Sequence, residues 1–294
     1  MTQSAKQFLK DLRREVASHS AVNHLFLNRL ATSPFSKQDY RIFADNHFAL
    51  VCVFPSYLEA LLLRATDVEV KLGLAKDLVA AYDEGAAGRD HTALYCDYLA
   101  AAGGDPTAAR AQRLRPPSAR FIKAHQRLAR QRPLLEGLGA IGPGHRWALP
   151  SMFAAILPGL RRAGFAQEEL RYFTQHLEHD DDHGRWLDDA LERYAVDQTA
   201  QLEIRRGALL SLKARGEFWD GVQRELIRYR QPRAPRPDGP RPRPLLGEVL
   251  ITAWDGFAPG KQVEDRARAW FAARRPTLAQ VSARAPTLSR QRSA

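Results

Sequence analysis

A chain of 294 residues, 45% hydrophobic and 26% charged, can bury a substantial core as one large domain or two small ones. Its two cysteines, Cys52 and Cys96, lie inside apolar helical patterns and exclude a disulfide framework, and no uninterrupted apolar run approaches the roughly 18 residues of a membrane span. The net charge of +11 suggests nucleic acid, but residues 230–294 hold 13 Arg or Lys against 5 Asp or Glu, a net +8, which leaves +3 for the first 229 residues. The opening Met-Thr-Gln-Ser-Ala-Lys-Gln-Phe-Leu-Lys has no long apolar h-region, so the expected location is cytoplasmic.

Taken in chain order, helical periodicity predicts two short helices over 4–17 and 21–31, around Ser18-His19-Ser20. Ser36-Lys37-Gln38-Asp39 resembles a capping signal, with Asp39 in place of the usual Glu, for a helix that runs to about Arg64 with a kink at Pro55. Asp67 can cap a helix over 68–83. Gly85 and Gly88 break the pattern before another helix from Asp90 to Ala102, which Gly103-Gly104-Asp105-Pro106 ends. Further helices are expected at about 118–130, 147–163, 167–194 and 198–229. No alternating strand and no repeat of solenoid period is found, so the fold class is all-α, a bundle of about seven core helices over 1–230. The Pro/Arg-rich stretch 231–244 reads as an extended linker, and 245–294 as a basic extension, partly helical and partly disordered.

The segment Tyr172-Phe-Thr-Gln-His-Leu-Glu-His-Asp-Asp-Asp-His-Gly184 carries the strongest chemical signal. Steps of +4 and +7 on a helix bring His176, Asp180 and His183 to within about 40° of one direction. Two imidazoles and a carboxylate on one face suit a divalent iron or manganese ion; the bland alternative is an exposed acidic stretch that contains histidines. A second half-site lies upstream, where Glu84 and His91 stand seven apart and would share a face on a continuous helix, although Gly85 and Gly88 interrupt it. Helical bundles hold two-metal sites by projecting Glu and His side chains inward from facing helices.

Asp-Glu-Gly at 83–85, His91 at +7 from Glu84 and then Leu94-Tyr95, with the later Phe-Thr-x-His-x-x-x-Asp-x-x-His, resembles the haem-oxygenase-like diiron oxidases and oxygenases, also called iron-containing redox enzymes. The resemblance covers roughly residues 15–225, including Pro-Ser-Met-Phe at 150–153 and Gly-Glu-Phe-Trp-Asp at 216–220. It implies a haem-oxygenase-like helical bundle and a ligand order of Glu, His, Glu, His, Asp, His. Five of these carry over, as Glu84, His91, His176, Asp180 and His183. The middle glutamate normally stands four residues before a proline; counted back from Pro150, that position is Arg146.

A guanidinium in a carboxylate's place removes one negative charge and adds a fixed positive one, which opposes two ferrous ions. Several outcomes stay open. Arg146 can pair with Glu84 or Asp180, bind a substrate carboxylate, or face solvent. His145, His179 or Glu59 can supply the missing ligand, or the histidine triplet can hold a single metal with other donors. His19, His24, His47 and His125 read as structural histidines, and Trp147, Trp186 and Trp219 as core or pocket residues.

The resemblance implies Fe(2+), one or two ions, activating O2 to oxidise a small amino-acid-, amine- or fatty-acid-derived substrate, a chemistry often found in specialised metabolism. No catalytic residue is separable from the metal ligands. The alternative is a metal-free or non-catalytic relative with a degenerate iron site. Expected partners are a small-molecule substrate and O2, with a homodimer allowed and no membrane. Nucleic acid is not expected either, since the basic tail lacks interleaved aromatics and any recognised binding motif.

Overall fold

The structure, a computed structural model, describes residues 3–82, 90–178 and 180–231, without the side chains of 178 and 180–184. Glu84, the expected linker at 231–244 beyond Gln231, and the extension at 245–294 lie outside the described residues; so do His179 and the side chains of Asp180 and His183. The described residues form α-helices and contain no strand.

The local signals act largely as their chemistry dictates. α1 (Ala5–Ser18) precedes α2 (Leu25–Thr32), which starts later than the expected residue 21 because the His24 Nδ1 accepts from the Phe26 N–H and makes His24 the N-cap. α3 (Lys37–Arg64) opens on a reciprocal capping box: the Asp39 N–H donates to Ser36 Oγ at 3.3 Å, and the Ser36 N–H to Asp39 Oδ2 at 2.9 Å. Pro55 lies inside α3, which continues through it. Asp67 accepts from the Glu69 and Val70 amides to start α4 (Val68–Tyr82), and Asp90 accepts from the Ala93 amide to start α5 (His91–Ala101). Gly103, at φ +81°, adopts the left-handed turn that ends α5.

Two helices escape the periodicity. α6 (Pro106–Ala111) is only six residues long. After α7 (Pro116–Arg130) comes α8 (Leu134–Ile141), whose sequence Leu-Leu-Glu-Gly-Leu-Gly-Ala-Ile carries two glycines that argue against a helix. Those glycines are there for close packing. α8 lies against the long C-terminal helix α12 (Gln198–Arg230), and a Cβ on Gly139 would stand 2.2 Å from the Ile204 carbonyl oxygen. From α8 the chain enters a π-helical turn, Gly142–Arg146, and then α9 (Leu149–Arg162). Pro143 has no N–H for the α-helical ladder, and π turns of this kind recur at functional sites. The stretch expected as one helix over 167–194 comprises a 3₁₀ turn at 168–170, α10 (Arg171–Glu178) and α11 (Asp180–Tyr194).

α3 is the central helix, packed by α4, α5, α7 and α12. It is long and apolar enough to cross a membrane, yet 67% of its most apolar window is buried in the bundle. Its apolarity is therefore that of a core helix, as the buried Tyr40, Phe43, Phe48, Val53, Tyr57 and Leu61 show. The two cysteines are unpaired thiols, as expected, and burial pushes Cys52 up to about 12.

Candidate active site

A cavity of about 150 Å³ opens among α3, α4, α5, the π turn, α10 and α12, room for roughly one benzene-sized molecule. Leu50, Val51, Phe54 and Leu149 supply apolar wall, and two polar groups of residues stand on the rest of it.

The first group contains both described histidines of the expected ligand set. His91 is the first residue of α5, set there by the Asp90 cap, and His176 lies on α10. Their ring centroids are 4.8 Å apart, so residues 85 apart in sequence meet at one wall. The His176 Nδ1 lies 2.6 Å from the Tyr172 carbonyl oxygen. A carbonyl only accepts, so Nδ1 carries the hydrogen, and in the neutral ring the lone pair is on Nε2. That is the arrangement that orients metal-binding imidazoles, and in donor chemistry the pair fits an iron ion. Among the described residues, no three His, Cys, Asp or Glu side chains form a metal cluster.

Arg146 lines the same cavity. Its side chain is 16% exposed and points inward, and its Nη2 forms an ion pair with Oδ2 of Asp77 on α4, which is 1% exposed. One partner is thus a carboxylate that sequence reasoning did not single out, seven residues before Glu84, and the expected partners Glu84 and the Asp180 side chain lie outside the described residues. Asp77 offsets the fixed positive charge, which weakens the electrostatic objection to a metal beside it. The indole of Trp147, next in sequence, donates to Asp188 of α11 at 2.8 Å and lies under the Arg13 guanidinium at 4.0 Å, so the end of the π turn is held in place.

The second group consists of His47, Tyr57, His145 and Arg215. Arg215 projects from α12 and is 2% exposed. Its Nη2 donates to His145 Nδ1 at 3.1 Å, and the guanidinium lies 4.3 Å from the centroid of Phe121. Nη1 has no hydrogen-bond partner, and no carboxylate pairs with Arg215 among the described residues. Burial lowers its pKa to about 10, which still leaves it charged at neutral pH. His47 Nδ1 and the Tyr57 hydroxyl are likewise buried without a partner. An unpaired buried ion costs several kcal/mol, so this end of the cavity is polar at the expense of stability.

This geometry also disfavours His145 as a substitute metal ligand. Burial, then the Arg215 charge, holds its pKa well below the ordinary histidine value, so the ring is neutral. The guanidinium can only donate, which makes Nδ1 the acceptor and leaves the hydrogen on Nε2. The third substitute, Glu59, accepts from the Tyr82 hydroxyl at 2.7 Å and does not line the cavity. His19 and His24 accept from nearby backbone amides, and His125 bonds the Phe121 carbonyl and the Ser211 hydroxyl, all structural roles as expected. His47 departs from that group by facing the cavity.

Comparison with known proteins identifies the lineage. Residues 41–216 match the family model of the iron-containing redox enzymes. The chain belongs to that family. It is 24% identical over 223 residues to 4-chloro-allylglycine synthase of Streptantibioticus cattleyicolor, covering 76% of this chain and 84% of that protein. It is also 23% identical over 173 residues to 4-aminobenzoate synthase of Chlamydia pneumoniae, covering 58% and 75%. Among solved structures, a domain from Shewanella denitrificans with a heme oxygenase-like fold superposes with a TM-score of 0.62 at 17% identity, over 75% of this chain and 94% of that one. The fold is therefore the haem-oxygenase-like one.

Proposed function

We propose that this member of the iron-containing redox enzymes is an iron-dependent oxidase or oxygenase whose cavity takes a small amino-acid-, amine- or fatty-acid-derived substrate together with O2. The observation that carries the reading is the juxtaposition of His91 and His176 at 4.8 Å on a cavity wall. Glu84, Asp180 and His183 complete the proposed ligand set, which binds one or two Fe(2+) ions. Bound iron supplies the redox chemistry by which O2 oxidises the substrate. The protein's own part is positional: the Tyr172 carbonyl fixes the His176 tautomer, Asp77 neutralises Arg146, and Phe54 and Leu149 keep the site apolar. The names of the two relatives denote an unsaturated amino acid and an aminobenzoate as products, which supports an amino-acid-derived substrate over a fatty acid.

Iron content of anaerobically reconstituted protein tests the reading. One or two irons per chain, lost in His91→Ala and His176→Ala, are expected; no iron in the wild type sinks it. The Arg146–Asp77 pair favours a second reading, a metal-free or non-catalytic relative, because a guanidinium occupies a ligand position. Arg146→Glu separates the two. An iron content that rises, for instance from one to two, marks position 146 as a vacated ligand site, whereas protein without iron before and after supports the metal-free reading.

A further inference from the structure

Arg215, unlike Arg146, is a charged group of the cavity with no counter-ion among the described residues. We propose that Arg215, with the Tyr57 hydroxyl and His47 beside it, forms the subsite that binds the carboxylate of a small organic acid. The proposal rests on the reading of this cavity as the active site, and concerns what anchors the substrate rather than what oxidises it.

Three observations converge. The guanidinium is 2% exposed and lines the cavity, yet its Nη1 has no partner and no carboxylate pairs with it among the described residues. The Tyr57 hydroxyl, also a donor, lines the same cavity, buried and unpartnered. His145 lines the same cavity, and its Nδ1 accepts from the second guanidinium nitrogen. That contact orients the fork and leaves Nη1 for a ligand.

A buried guanidinium without an anion is a costly arrangement that a bound carboxylate relieves with charge-assisted hydrogen bonds. The surrounding walls are aromatic or aliphatic, with Phe54, Phe121 and Leu50 on the cavity. They favour an organic anion over inorganic phosphate, and the volume of about 150 Å³ limits it to a single ring or a short aliphatic chain. A carboxylate held at Arg215 keeps the rest of such a molecule in the cavity that His91 and His176 also line.

The test uses metal-free full-length protein, so that a carboxylate cannot be captured by iron. Benzoate and L-norleucine are titrated by calorimetry beside their neutral amides, benzamide and L-norleucinamide, and beside inorganic phosphate. At least one of the two carboxylates is expected to bind, and its amide at least about tenfold more weakly. Arg215→Gln should weaken the carboxylate about thirtyfold or more, while Arg146→Gln leaves it within about threefold. Binding of neither carboxylate, equal binding of acid and amide, equal binding of phosphate, or undiminished carboxylate binding in Arg215→Gln overturns the proposal. Should Arg215→Gln not fold, the comparison of acid with amide and phosphate in the wild type still decides. Absence of iron in the reconstitution experiment would defeat the proposed oxidase activity and leave this subsite standing.

Discussion

Arg146 and Arg215 each bring a guanidinium to one cavity, and the protein treats the two charges in opposite ways. Arg146 is paired with a carboxylate buried to 1% exposure. Arg215 is more deeply buried, at 2% exposed, and has an imidazole and an aromatic face where an anion would be expected. The contrast separates charge used to complete a structure from charge held in reserve. On the proposed reading, the pair neutralised within the protein is the one near the metal, and the cation without a counter-ion among the described residues is the one that meets a substrate anion.

The largest expected effect comes from breaking the neutralised end. Asp77→Ala takes a buried carboxylate away from the Arg146 guanidinium and should cost about 3 kcal/mol of stability in urea unfolding; a loss under about 1 kcal/mol would mean that the pair is not a stabilising unit. Acid should act next, through the unneutralised end. Burial pushes His125, which packs beneath Tyr57, down to about 3, and pushes His47 and His145 in the same direction. Above the ordinary value of 6.5 these rings are neutral in both folded and unfolded chains, and the full stability is present. As pH falls below 6.5 only the unfolded chain takes up protons, so stability drops until about pH 3; for His125 alone the loss from pH 7 to pH 5 is about 2 kcal/mol. Thermal melts across that range check both sign and size.

A smaller effect probes what the two ends share. The π turn carries both His145 and Arg146 and rests on α12, where a Cβ on Gly144 would meet Ser211 Cβ at 2.6 Å and the Ala208 carbonyl oxygen at 2.8 Å. Gly144→Ala should cost about 1.5 kcal/mol and weaken both iron and carboxylate binding, since the turn must lift off the helix. Arg215→Met should change the stability of ligand-free protein least, by under about 1 kcal/mol, because it removes an ion that has no counter-ion among the described residues. If it destabilises more than Asp77→Ala does, the contrast between the two guanidiniums fails.

Much of the fold could be read from local chemistry. The Ser36–Asp39 box, the Asp67 and Asp90 caps and the stop at Gly103 are short-range hydrogen-bond or backbone requirements, and each acts where its residues stand. α8 could not be read that way, because Gly137 and Gly139 lower helix propensity and are required only by the neighbouring helices. Of the site, the spacing from Phe173 to His183 and the pair Glu84 and His91 indicated the metal chemistry, and the meeting of His91 with His176 follows from how α5 and α10 pack. Asp77, Tyr57 and Arg215 drew no attention. Arg215 did leave a signal: it lies on the same face of α12 as Ser211, Leu212, Phe218 and Trp219, all buried, an unusual setting for a cation.

The sequence by itself determined that this chain is an all-α bundle and which family it resembles, because periodicity, capping and motif spacing are properties of neighbours along the chain. Only the tertiary structure decided that Arg146 turns inward to Asp77 and that Arg215 meets no carboxylate among the described residues. Whether a charge is neutralised depends on which side chains from distant helices share its few ångströms of low-dielectric space, and no spacing along the chain encodes that.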